Sequence, residues 1–178
     1  MNLKKIKIIA VIGIFILSFG AHFAYDLFPN PIFSFIFPVN ESIWEHMKII
    51  FTSTLIYGII DYILLKKNKI KFNNFSFQLY FTAISSIPIY LVIYIPLYKL
   101  LGENIFISIF LLLIVYIISQ WISYNILKEK EIKILNKIAI PIILTTYLVF
   151  IYLTYNPIKN YIFYDSTTKT YGISSTKQ

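Results

Sequence analysis

The chain has 178 residues, of which 58% are hydrophobic and only 13% charged, and its mean hydropathy is +0.72. That balance excludes an ordinary water-soluble domain, which needs more polar surface around its core, and makes lipid the solvent for most of this one. The net charge is +8 with every basic residue a lysine, and cysteine is absent; disulfides, thiolate metal sites and cysteine nucleophiles are therefore excluded.

A basic chain often binds nucleic acid. Here the lysines cluster between apolar runs and read as topology signals, so the expected partner is the lipid bilayer and no nucleic acid is expected. The fold class expected is all-α, a polytopic membrane protein built as a bundle of about five transmembrane helices.

The first apolar run covers 6–28, preceded by Lys4, Lys5 and Lys7. It is longer than the roughly 7–15 residues of a signal-peptide core, which predicts an uncleaved helix. Residues 29–40 carry Pro29, Pro31 and Pro38 and read as a loop. Asn40 reads as an N-cap with Glu41 in the first turn of a second helix over 41–65. The third helix is expected over 75–100, kinked at Pro88 and Pro96, followed by a turn at 101–104. The fourth is expected over 105–127 and the fifth over 138–155. A polar tail, 156–178, completes the chain.

Eleven of the sixteen lysines lie in the N-terminus and the 66–71 and 128–137 segments, which share one side if there are five spans. The expected orientation in a bacterial cytoplasmic membrane is therefore N-terminus inside and C-terminal tail outside.

An ionisable residue in a transmembrane helix costs roughly 2.5–3.5 kcal/mol at its centre and calls for a reason. His22 and Asp26 stand four apart on the first helix, hence on one face. Glu41, Glu45 and His46 stand at the start of the second, and consecutive antiparallel helices bring their joined ends together. Imidazole and carboxylate form a ligand set for a divalent metal such as Zn, Mn or Fe(II). His22, Asp26, Glu45 and His46 are the candidate ligands, and Glu45, His46 and Glu41 the candidate acid/base groups. Glu45 and His46 diverge by about 100° on a helix, which limits how both serve one centre. The spacing of Trp44-Glu45-His46 is not that of H-E-x-x-H. The competing reading is structural: carboxylates favour a helix N-terminus, and Lys48 stands three residues past Glu45.

A polar stripe of Ser42, His46, Ser53, Tyr57 and Asp61 runs down the second helix. Gln78, Thr82, Ser85 and Ser86 share a face of the third, and Tyr116, Gln120, Ser123 and Tyr124 a face of the fourth. Such seams either line a path for protons, ions or a solute, or hydrogen-bond to one another and hold the bundle together; the second role is the commoner. Tyr90, Tyr94 and Tyr98, and likewise Trp44, suit an aromatic belt at the membrane interface.

The run Pro38-Val39-Asn40-Glu41-Ser42-Ile43-Trp44-Glu45-His46-Met47-Lys48 resembles a motif of an uncharacterised family of small multi-pass membrane proteins of Firmicutes, known as a domain of unknown function. His22-Phe23-Ala24-Tyr25 and the tail segments Tyr164-Asp165 and Tyr171-Gly172-Ile173 resemble it too. The resemblance implies no activity. It implies that the polar patch and the tail belong to one architecture, with Asp165 folding back over the His22/Glu45 patch.

Three functions are in view. One is a membrane-embedded hydrolase acting on a lipid or peptide, with a metal or acid/base centre at the patch. The second is a transport component for a small solute, ion or proton, with Asp61 as inner partner. The third is a non-catalytic accessory subunit. No Walker motif, G-x-S-x-G or glycine-rich phosphate loop occurs.

Overall fold

The computed structural model describes residues 1–102 and 104–173; the part of the expected tail at 174–178, and Glu103 of the expected turn, lie outside the described residues. In chain order the elements are α1 (Leu3–Leu27), α2 (Pro31–Ile36), α3 (Ile43–Lys67), α4 (Phe75–Leu101), α5 (Ile105–Lys128), α6 (Lys133–Tyr155), β1 (Tyr164–Asp165) and β2 (Thr170–Tyr171). All of the helices except α2 are long and apolar enough to cross a membrane. At 25 residues, α1 and α3 are each about 37 Å long, against a hydrocarbon core of about 30 Å.

Helix starts follow local chemistry. Asn2, Asn30, Ser42 and Asn104 each place a side-chain oxygen on a free N–H of the first turn. Ser42, not Asn40, caps α3, so Glu41 lies in the loop before the helix; Asn40 instead accepts the Ser42 N–H through its side chain. The 29–40 segment is not all loop, because Pro31 sits at the start of α2, where its missing N–H costs nothing. The last helix begins at Lys133 rather than 138, its polar first turn extending beyond the apolar stretch.

In the bundle, α1 packs on α3 and α5, while α4 packs on α3, α5 and α6; α2 lies against α6. Gly13 lets α1 approach α3 closely, since a Cβ there would sit 2.0 Å from the Tyr57 ring. Part of the polar seams bonds within the bundle: Ser18 meets the Tyr116 hydroxyl at 2.6 Å, Ser123 donates to Gln78, and Thr82 and Ser86 donate to carbonyls one turn back, while the Ser53 hydroxyl and the Gln120 side-chain oxygen have no hydrogen-bond partner among the described residues.

Lys7 is not part of a solvated N-terminal cluster. It is buried inside α1 and paired with Asp61 of α3, each charge supplying the other's partner away from water. At the opposite end of the bundle, where α1 ends and α3 begins, the tail forms an antiparallel β1–β2 ribbon folded over the helices. The Trp44 backbone N–H donates to the Ile162 carbonyl at 2.9 Å, and the Trp44 ring stacks on Phe163 with centroids 4.8 Å apart. Trp44 is thus a clasp for the tail rather than a belt residue.

Candidate functional site

Under the ribbon, three side chains from three segments converge. His22 comes from the last two turns of α1, Glu41 from the loop before α3, and His46 from the first turn of α3. One ligand atom from each lies within 4.8 Å of the others, and all three residues are half-buried. His46 Nε2 is 3.5 Å from Glu41 Oε2, His22 Nε2 is 3.9 Å from Glu41 Oε1, and the imidazole centroids are 5.4 Å apart.

Local hydrogen bonds set the chemistry of each group. His46 Nδ1 lies 2.9 Å from the Ser42 carbonyl, which can only accept, so Nδ1 carries a proton and Nε2 is the ring nitrogen that faces Glu41. The N–H···O=C contact is the usual outer bond of a metal-ligating histidine. His22 Nδ1 is buried and has no hydrogen-bond partner among the described residues. Asp165 holds the loop: its Oδ2 accepts the Glu41 N–H at 3.4 Å and the Thr168 hydroxyl at 2.7 Å, while Oδ1 accepts the N–H groups of Thr167 and Thr168. Burial alone would raise the Asp165 pKa, but these four donors outweigh it and hold the carboxyl below its ordinary value. Asn40 reaches across to the Gly172 carbonyl at 2.8 Å. Gly172 is at φ +63°, and a Cβ there would lie 2.6 Å from the Thr154 carbonyl.

The other residues expected at the site stand elsewhere. Glu45 is fully buried and turned away from His46, forming an ion pair with Lys48 at 2.8 Å. Its two oxygens also accept the Val39 N–H at 3.1 Å and the Thr154 hydroxyl at 2.8 Å. Lys48 in turn donates to the Ser34 carbonyl at 2.8 Å. This closed network joins α2, α3 and α6, and every lone pair it uses is spent on structure. Glu45 and His46 diverge because adjacent helical residues point about 100° apart. Asp26 is exposed, one turn beyond His22, and is not among the grouped donors. Asp165 does fold back toward the patch, but onto the Glu41 backbone rather than the imidazoles.

Two cavities meet at the cluster. A polar vestibule of about 510 Å³ is lined by His22, Glu41 and His46 together with Tyr90, Tyr94 and Thr167. An apolar cavity of about 170 Å³ adjoins it and reaches into the bundle between α1 and α5, past Ser18 to Phe15 and Leu112. Tyr90 and Tyr94 are 3% and 9% exposed. Tyr90 is hydrogen-bonded to Ser108. They therefore wall the site instead of forming a lipid-facing belt. Their four-residue spacing was visible in the sequence, but the same spacing serves a belt or a cavity wall, and nothing local distinguishes the two.

No curated protein and no solved structure matches the chain. A family model described as a family of unknown function does, over residues 1–173. That span takes in the cluster, the buried Glu45–Lys48 network and the tail ribbon alike, and the chain belongs to the Family of unknown function (DUF6512).

Proposed function

We propose that this protein is a membrane-embedded, metal-dependent hydrolase whose divalent cation, of the zinc type, is held by His22, Glu41 and His46. The observation that carries the reading is the convergence of two imidazoles and one carboxylate, from three chain segments, within 4.8 Å. Two histidines and a glutamate make a three-ligand catalytic zinc set, which leaves a fourth position for water or substrate. Ligand atoms about 2.05 Å from a tetrahedral ion stand about 3.3 Å from one another. The three donor atoms lie within 4.8 Å of one another, so closing on an ion draws them together by up to about 1.5 Å. The bond from His46 Nδ1 to Ser42 supports the same reading, because it orients Nε2.

Such an ion, when bound, lowers the pKa of a coordinated water toward neutrality and polarises a carbonyl. The chain's own groups supply the rest. Tyr90 and Tyr94 line the vestibule, and a phenolic hydroxyl turned toward it is a donor suited to an oxygen that gains negative charge. With Glu41 assigned to the ion, the proton passes from the attacking water to the leaving group through solvent, which reaches the site beside the 39% exposed Glu41 side chain. In the overall step the water oxygen bonds to the acyl carbon, the bond to the leaving oxygen or nitrogen breaks, and that atom takes up a proton. Asp26 and Glu45 have no part in it. The lysine distribution supports a site on the outer face of a bacterial cytoplasmic membrane, with the N-terminus inside.

Elemental analysis of the detergent-purified protein tests the reading. The expected result is close to one zinc or manganese per wild-type chain and none in His22→Ala, Glu41→Ala or His46→Ala. A folded wild-type protein that takes up no metal after incubation with Zn²⁺ or Mn²⁺ overturns it.

A second reading, small-solute transport, is favoured by one observation. The α1/α5 seam carries cavities toward both ends, the second lined by Lys4, Lys7, Gln120 and Tyr124, and the buried Ser18–Tyr116 bond lies between them along the seam. Solute flux into proteoliposomes that rises when Tyr116→Phe removes that bond would favour transport over hydrolysis.

A further inference from the structure

The apolar cavity beside the cluster has no role in holding a metal, and its lining is chemically distinct from that of the vestibule. Its lining is mostly apolar, with Phe15, Phe19, Phe23, Ile109 and Leu112 among the residues that form it. The two cavities share His22, His46, Tyr90, Ile105 and Ser108, so they adjoin across these side chains, one the more polar and the other apolar. At about 170 Å³ the apolar end slightly exceeds a cavity of about 150 Å³ that takes a benzene ring, which is room for a stretch of about six carbons. Nor is it sealed: Phe19, Phe23 and Ile105 are 42%, 53% and 67% exposed on the outer surface of the bundle. In a membrane that surface faces acyl chains.

We infer that the two adjoining cavities together bind a membrane lipid, with the headgroup in the vestibule, the acyl linkage at the level of His22 and His46, and the chain passing between α1 and α5 past Phe19 and Phe23 into the bilayer. The inference deepens the metal-site reading by naming its substrate class, and rests on that reading only for the position of the linkage. Three observations converge on a lipid rather than a soluble peptide or solute. A wholly polar ligand would leave the apolar end unfilled or wet at a desolvation cost. A wholly apolar one would strip water from the 39% exposed Glu41 carboxylate and replace it with no polar group. An amphiphile with its polar part toward the ribbon satisfies both ends. It also lies parallel to its neighbours in the leaflet, so it can enter sideways without leaving the membrane. Moreover, the ribbon closes over the vestibule with Thr167 at its wall, so lateral entry between α1 and α5 avoids the covered face.

The test is photolabelling in phosphatidylcholine vesicles doped with a lysophosphatidylcholine that carries a diazirine on its acyl chain, with labelled positions mapped by peptide mass spectrometry. Label is expected to concentrate on residues 15–23 and 105–112. Ile109→Trp, which fills the cavity and touches none of the three proposed ligands, should reduce that label about tenfold while metal content stays at the wild-type level. Leu112→Phe serves as a second filling variant should Ile109→Trp fail to fold. Val92→Trp, on a lipid-facing surface of α4 that is 73% exposed, should leave the label unchanged. Label spread evenly over lipid-facing residues such as Val92 and Leu148, or unchanged in both filling variants, overturns the inference. The two readings fail separately: focused label on a protein that takes up no metal upholds the lipid cleft and removes the metal, and metal without focused label does the reverse.

Discussion

Glu41 and Glu45 stand four residues apart in one short run and occupy opposite chemical situations. Glu41 lies outside the helix, its side chain 39% exposed and facing two imidazoles; Glu45 is 1% exposed and enclosed by Lys48, Thr154 and the Val39 N–H. Substitution should separate them. Glu41→Gln is expected to weaken Zn²⁺ binding by at least about 100-fold, read by calorimetric titration in detergent, with little change in thermal stability. Glu45→Gln is expected to keep the metal and lose about 3–5 kcal/mol of stability, because it leaves the Lys48 ammonium buried without its counter-charge. Equal metal loss in the two variants would show that Glu45 coordinates after all. Both glutamates were legible as candidates, since each sits near a helix start at the end His22 occupies. What separated them was a helix start two residues later than expected: Ser42 rather than Asn40 takes the cap, which leaves Glu41 in the loop and Glu45 in the first turn.

At the scale of elements, the tail ribbon and the α1/α3 contact each rest on a few local features. Asp165 binds Glu41, Thr167 and Thr168 only as a carboxylate acceptor. Its pKa is depressed on folding, so its contribution is complete above the unfolded value of about 3.9 and is lost as pH falls through the lower folded value. In a Trp121→Phe background, Trp44 fluorescence should therefore be constant from neutral pH down to about 4 and change below it, as Phe163 unstacks. Asp165→Asn should show the changed signal at neutral pH. A transition centred near pH 6 would assign the ribbon to a different group. For α1 and α3, Gly13→Ala would drive a Cβ into the buried Tyr57 ring and should cost about 1–3 kcal/mol by overpacking. Gly20→Ala, where nothing lies within 4 Å, should be neutral, and thermal unfolding of the two variants side by side checks the contrast.

Across the whole molecule, the lysine-poor end carries the cluster, the vestibule and the ribbon, while the lysine-rich end carries the Lys7–Asp61 pair and the second cavity. The native chain has no cysteine, so single cysteines report sidedness directly. Lys69→Cys should be shielded from an impermeant maleimide in intact cells, and Lys159→Cys should be labelled. The opposite pattern would reverse the orientation and put the site in the cytoplasm.

The five membrane-length helices and the helical class were legible from the sequence, because long apolar runs broken by lysine and proline clusters leave few alternatives in a medium where backbone groups must bond within the segment, whereas the short α2 was not. That His22 and His46 would meet was also legible, since consecutive antiparallel spans join at that end. The tertiary structure alone decided which carboxylate accompanies them, that Tyr90 and Tyr94 wall a cavity, and that Lys7 leaves the N-terminal charge cluster to pair with Asp61. Each of those depends on how helices rotate about their axes against neighbours distant in sequence. A 3.6-residue period defines a face, but only packing determines what that face meets.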